Sequence, residues 1–251
     1  IFASGSSYHL FGLIPMNLHL FGVSEVEGRE TPRINLLGTD QLGRDRVSRL
    51  LFAMRFSLLV SPIGTLLACI LGITIGAISG YSSPAVDSVL MGVADTIISL
   101  PTLVLILAAR AAFPAELPTM SAAILLIGIF AAAGWAEMAR LARGLVVSMK
   151  EQEFVMAGRS IGLTEFRLLS RHILPNIMLP LLVQATLMLP AFLLAEIALS
   201  FLGVGLQEPE PSLGNMLSSA SDLTQLRRSP FLILSPAIVI FLFVLGIRLI
   251  A

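Results

Sequence analysis

The sequence predicts an all-α, polytopic membrane protein. Three observations lead there. Of 251 residues, 56% are hydrophobic and only 13% charged, with mean hydropathy +0.90. A soluble domain carries roughly a quarter charged residues, so the deficit points to a bilayer as the main solvent. Five apolar stretches, 56–80, 88–112, 119–147, 173–205 and 230–251, are each long enough to cross it, since a span takes about 20 residues. Period-2 alternation is absent, which argues against a β-barrel. Backbone groups in lipid must be satisfied internally, so the stretches are expected to be helices.

Composition also removes function classes. The formal net charge is zero, which gives no electrostatic reason to bind nucleic acid. Cys69 sits alone in an apolar run and reads as packing. Three scattered histidines offer no metal-ligand spacing. No signal-peptide pattern opens the chain, and both ends, Ile1 and Ala251, are expected to be trimmed.

Two regions are expected. Residues 1–55 form an extracytoplasmic segment. Its part 4–32 is mixed and polar with no strong period. Residues 36–55 are amphipathic, with Val47, Leu50, Leu51 and Met54 at i, i+3, i+4, i+7. Arg44, Asp45, Arg46 and Arg49 lie elsewhere, so an interfacial helix should lead into the first span. Residues 56–251 form the transmembrane domain. The first span carries Gly64 and the run Gly72-x-x-x-Gly76-x-x-x-Gly80, a face for close helix packing. Tight turns follow at Tyr81-Ser82-Ser83-Pro84 and at 113–118. The second span holds Asp95 and then Pro101, which can break the helix. The third ends near Glu137, which is expected close to Arg140 or Arg143. The fourth contains Pro175, Pro180 and Pro190, with Gln184 and Thr186 between.

Polar and ionisable groups within spans are expensive and often functional. Asp95, Gln184 and Glu196 are therefore candidates for a translocation path. A hydrogen-bonded or protonated carboxyl at a subunit interface remains the alternative for both acids.

The strongest signal is a polar island, KEQEFVMAGRSIGLTEFRLLSRHILPN, residues 150–176, between the third and fourth spans. A connector needs only a few residues, so this length calls for a role. Residues 150–161 can form a short helix, with Glu151, Gln152 and Glu153 at its positive end. Gly162 is a natural stop. Thr164 suits an N-cap for a second helix, 165–172, and Pro175 fits the first turn of the next span. The expected product is a helix–Gly162–helix elbow. Ala157, Gly158 and Ser160 would make it slim enough for another protein to approach closely.

These residues carry a resemblance. Ala157-Gly158, Gly162 and His172-Ile173-Leu174-Pro175 resemble the "EAA" loop of importer-type ATP-binding-cassette permeases. The longer string from Glu153 to Gly162, with Arg171 to Asn176, is similar to the dipeptide/oligopeptide/nickel permease family, "C" type subunit. Leu37-Gly-Thr-Asp-Gln-Leu-Gly-Arg-Asp45, Ala195-Glu-Ile-Ala-Leu-Ser-Phe-Leu-Gly203 and Pro211-Ser-Leu-Gly-Asn-Met216 agree in order. Met156 stands where that family has its glutamate. Glu153, one turn earlier on the same face, can partly substitute.

The resemblance implies a multi-pass importer subunit of a prokaryotic inner membrane, with one further span upstream. The elbow would be a cytoplasmic coupling helix touching an ATPase through Glu153, Met156, Ala157, Gly158, Gly162 and Arg167. It implies a homologous permease partner, two cytoplasmic ATPase subunits holding ATP and magnesium, and an extracytoplasmic binding protein docking on a surface that includes 206–229. Short peptides are the favoured cargo, with nickel chelates among the alternatives. The chain itself has no Gly-x-x-x-x-Gly-Lys-Ser/Thr string, so no cofactor is expected on it and it is not expected to be an enzyme. An ion-coupled secondary transporter would need internal repeats, and none is evident. A membrane-embedded enzyme would need a convergent catalytic set, against only dispersed His9, His19 and His172.

Overall fold

The structure is a computed structural model and describes residues 3–10, 14–19, 37–40, 42–218 and 231–250. The chain divides into two units, Ile1–Arg49 and Leu50–Ala251.

In the first unit, β1 (Ala3–Leu10) and β2 (Ile14–His19) pair antiparallel. Ala3 lies opposite His19 and Leu10 opposite Ile14, with a register shift between Ser4 and Tyr8. This corrects the expectation of no period in 4–32. Ile14, Met16 and Leu18 recur at every second position, a short strand signature. Residues 20–36, the rest of that segment and the start of the expected interfacial helix, lie outside the described residues.

The interfacial helix over 36–55 is also corrected. A compact turn occupies the first part, because Gly38 and Gly43 adopt φ of 74° and 75°, which no helix accommodates. Asp40 accepts hydrogen bonds from the N–H groups of Leu42 (2.9 Å) and Arg44 (2.8 Å) and from the Arg44 guanidinium (2.6 Å). Burial pushes the Asp40 carboxyl up, but these donors outweigh it and hold its pKa below the ordinary value. A helix begins only after Asp45, which accepts from the Ser48 N–H at 2.9 Å as an N-cap. From there α1 (Arg46–Tyr81) runs for 36 residues through Pro62. At 1.5 Å per residue it is about 54 Å long, well beyond the roughly 30 Å hydrocarbon core.

The second unit is built around α4 (Thr119–Lys150), whose Leu126, Phe130, Met138 and Val146 are fully buried. The predicted glycine face of α1 lies against it. A Cβ at Gly64 would meet Phe130 Cβ at 2.9 Å, and one at Gly72 would meet Met138 Cβ at 2.5 Å and the Trp135 carbonyl at 2.6 Å. One at Gly80 would meet Val146 at 2.8 Å. Carbon atoms rest at about 3.5–4.0 Å, so the seam has no room for a methyl group. Phe130 in turn stacks on Phe192 at 4.8 Å, joining α4 to α7 (Leu174–Phe201).

The second apolar stretch is not one straight span. It is α2 (Pro84–Ile98) and α3 (Thr102–Ala111), bent by 86°. Pro101 has no N–H to donate and disfavours helical geometry at Leu100, so the break falls at 99–101. At the far end of α3, the buried Arg110 guanidinium donates to the carbonyls of Pro114 and Ala115, each at 3.0 Å, and fastens the next turn.

Among the described residues, three helices are long and apolar enough to cross a membrane, or four if the bent pair counts as one. These are α1, α4, the helix ending in α7, and α2–α3. The fifth expected span corresponds to α9 (Phe231–Ile250), which is shorter. Between α7 and α9 lies α8 (Leu213–Ser218). Ser212 caps it by accepting from the Asn215 N–H at 3.0 Å, while the Asn215 side chain accepts from the Ser212 N–H at 2.9 Å. The protein is a helical, multi-pass membrane protein.

Candidate functional site

The polar island folds as an elbow. Lys150 closes α4 rather than opening the next helix, because Gln152 takes an extended conformation and interrupts the chain there. The first arm, α5, is therefore Glu153–Ser160. It ends as the sequence predicts, at Gly162 with φ of +83°. The Gly162 N–H donates to the Arg159 carbonyl at 2.9 Å and the Leu163 N–H to the Gly158 carbonyl at 3.1 Å. That pair of bonds is the Schellman motif, which needs a left-handed residue.

Thr164 then caps the second arm, accepting from the Arg167 N–H at 3.4 Å. The arm differs from the expected α-helix over 165–172. It is a short α6 (Glu165–Leu168) followed by a π-turn, Leu169–Ile173, that runs directly into α7. Pro175 lies in the first turn of α7. Its ring would crowd the carbonyl four residues back, and a wider turn relieves that clash.

Two contacts stiffen the elbow. Arg159 spans Gly162 to reach Glu165, with Nε–Oε1 at 2.8 Å and a second bond at 3.1 Å. That hydrogen bond raises the Arg159 guanidinium pKa above its ordinary value. Gly158 is buried, and a Cβ there would lie 2.6 Å from Leu168 Cδ2. Its lack of a side chain lets α6 close onto α5. This corrects the expectation that Gly158 thins the outer surface; of the three small residues, Ala157 and Ser160 are the exposed ones.

The outward face follows from spacing. Glu153, Met156, Ala157 and Ser160 fall at i, i+3, i+4, i+7, while Val155 and Gly158 turn inward. Met156 is 58% exposed, Ile161 79% and Phe166 78%. Arg167 is exposed beside them. A short, braced, two-armed element thus presents apolar side chains and a few charges outside the apolar spans. Ile161 and Phe166 are not among the residues that the sequence singles out. Their signal was an apolar residue in a polar stretch, one of them beside the turn glycine.

The candidates within the spans go to different places. Glu196 is fully buried between α7 and α1, accepting from Ser57 at 2.6 Å and Ser200 at 3.0 Å. Ser200 Oγ also accepts from the Leu206 N–H at 3.2 Å, so the carboxyl ties two helices to the turn beyond α7. Asp95 pairs with Arg140 of α4, and both side chains are about half exposed. Asp87, which the sequence reading did not single out, binds Arg143 through Nε at 3.1 Å and a terminal nitrogen at 2.5 Å. The hydrogen bonds of Arg140 and Arg143 therefore go to α2, and Glu137 is exposed. Gln184 is half-buried on α7. The structure brings none of Asp95, Gln184 and Glu196 together. Of the expected binding-protein surface, 219–229 lies outside the described residues.

The bundle and its elbow define a class, the helical permease fold of importers. The chain superposes on the MetNI methionine ABC transporter in inward-facing form with TM-score 0.59 at 14% identity, over 81% of this chain and 91% of that one. An amino acid ABC transporter with histidines gives 0.56 at 16% identity, with the same coverage. The chain belongs to the family of binding-protein-dependent transport system inner membrane components, whose model matches residues 72–251. It is 35% identical to the dipeptide transport system permease protein DppC of Alkalihalophilus pseudofirmus, over 85% of this chain and 67% of the relative. It is 37% identical to the di/tripeptide transport system permease protein DppC of Pseudomonas aeruginosa, over 85% and 68%. It is 34% identical to the oligopeptide transport system permease protein OppC of Bacillus subtilis, over 80% and 63%. The chain thus spans about two thirds of the length of these relatives.

Proposed function

We propose that this chain is the pore-forming permease subunit of an ATP-driven importer in a prokaryotic cytoplasmic membrane, and that its cargo is short peptides. The names of its relatives supply the cargo class. A homologous permease completes the path, a binding protein delivers cargo from outside, and two cytoplasmic ATPase subunits hold ATP and magnesium. ATP hydrolysis belongs to those subunits.

The observation that carries this reading is the elbow. Met156, Ile161 and Phe166 stand exposed on an element stiffened by the Arg159–Glu165 pair and the Gly162 turn. Several apolar side chains exposed on one short, stiff element are the kind of surface that a protein partner covers. The elbow lies on the cytoplasmic side and seats Glu153, Met156, Ala157 and Arg167 against the ATPase, with Gly158 and Gly162 shaping the arms. With Met156 in place of a glutamate, apolar contact supplies most of the docking energy. A rigid elbow passes displacement on, whereas a loose loop absorbs it. When ATP binding draws the ATPase subunits together, α4 and α7, which the elbow joins, change tilt and the path switches its facing. Asp95, Gln184 and Glu196 are the residues proposed to respond to that switch.

The test is uptake of labelled dipeptide by proteoliposomes. The complete complex with its binding protein should accumulate peptide only when ATP is supplied. Robust uptake by this chain alone, without ATP, contradicts the proposal.

A further inference from the structure

At the elbow end of α4, two side chains leave the helix toward the corner between α1 and α2. Arg143 grips Asp87 of α2 with two hydrogen bonds, at 3.1 and 2.5 Å. The same carboxylate accepts a bond from Ser79 of α1. Two turns further on, Lys150 donates to the Gly80 carbonyl at 2.8 Å and lies 4.8 Å from the centre of the Tyr81 ring. Lys150 is the last residue of α4, with the elbow directly after it. Only Ser82 and Ser83 separate α1 from α2. The corner is thus held at two points by the segment that feeds the elbow.

The two grips differ from ordinary helix packing. A bidentate arginine–carboxylate pair fixes direction as well as distance. The Lys150 ammonium caps a carbonyl at the end of α1, where the helix dipole favours a cation. Beyond the corner lies the pair bent by 86°, α2–α3, and Asp95 on α2 pairs with Arg140, one turn before Arg143 on α4. Motion of the base of α4 must therefore carry α2 with it.

We propose that Arg143 and Lys150 are positioning residues that fasten the α1–α2 corner to the elbow, so that elbow displacement reorients the bent pair α2–α3. This rests on the elbow being the ATPase contact.

The experiment uses the complete transporter in proteoliposomes, comparing wild type with Arg143→Gln, Arg143→Lys, Lys150→Met and the exchange Asp87→Arg/Arg143→Asp. Peptide uptake and ATP hydrolysis are measured together. For Arg143→Gln and Lys150→Met, uptake per ATP should fall about tenfold while hydrolysis stays within about twofold, the size of a typical coupling effect. The exchange should recover most of the loss, and Arg143→Lys should fall between. A residue that only supported the fold would lower uptake and hydrolysis together. Unchanged uptake per ATP in both single variants overturns the proposal. So does failure of both to assemble with the ATPase, which assigns the residues to folding alone. Failure of the underlying reading looks different, since an elbow cysteine would then form no cross-link to the ATPase in the wild-type background.

Discussion

Gly162 allows a graded test of the elbow. Its φ is +83°, and a Cβ built there meets nothing within 4 Å. Substitution therefore acts through backbone conformation and not through crowding. Alanine at a left-handed position costs roughly 1–2 kcal/mol. That shifts the balance between formed and opened elbow about 5- to 30-fold. Asparagine visits this region readily and should cost less. Proline requires φ near −65° and removes the N–H that donates to the Arg159 carbonyl at 2.9 Å, for a total of about 3 kcal/mol or more. The local readout is hydrogen exchange at the Leu163 amide, which is bonded to the Gly158 carbonyl. The functional readout is ATP-driven uptake by the assembled transporter. Exchange should quicken and uptake should fall in the order Gly, Asn, Ala, Pro, with membrane insertion unchanged. A proline variant that keeps wild-type exchange and uptake would show that the left-handed turn does not hold the elbow, and so would an alanine variant that outperforms asparagine.

Other outcomes follow from the same geometry. Gly72→Ala places a methyl against the Trp135 carbonyl and Met138; it should cost about 1–3 kcal/mol by overpacking, read as a lower unfolding midpoint in detergent. Glu196→Ala strips Ser57 and Ser200 of their buried acceptor and should cost about 3 kcal/mol, with Glu196→Gln well below that; equal losses in thermal unfolding would contradict the assignment of those bonds. The 37–45 turn should respond to pH. The Asp40 carboxyl is held below its ordinary pKa, so its contribution is complete above the unfolded value and is lost as pH falls through the lower, folded one. Exchange at Leu42 and Arg44 should thus stay slow where a free aspartate titrates and quicken only at more acid pH.

Much of this architecture is written in local pattern. Gly162 as a stop, Thr164 as a cap and Pro175 in a first turn each depend on backbone chemistry within a few residues. The glycine stripe of α1 was legible because packing against any neighbour demands the same spacing. What escaped is of two kinds. Some signals were present but weak, such as the alternation in Ile14, Met16 and Leu18; a break at Pro101 was legible, but not its 86° angle. Others are absent from any single sequence. Asp87–Arg143 and Asp95–Arg140 join positions 56 and 45 residues apart. Periodicity places a charge on a face but does not name what faces it. Gly158 shows the same limit, since a small residue reads alike whether a partner protein or Leu168 fills the space beside it.

The proposal seats the outward face of α5 against the ATPase. It is tested most directly by cysteine cross-linking in a Cys69→Ala background of the complete transporter. Ala157→Cys and Met156→Cys, both on the exposed face, should each cross-link to the ATPase subunit, with a yield that changes when ATP is bound. Gly158→Cys, turned toward Leu168, should not. Cross-links from Gly158→Cys alone, or from none of the three in an actively transporting complex, would contradict the account.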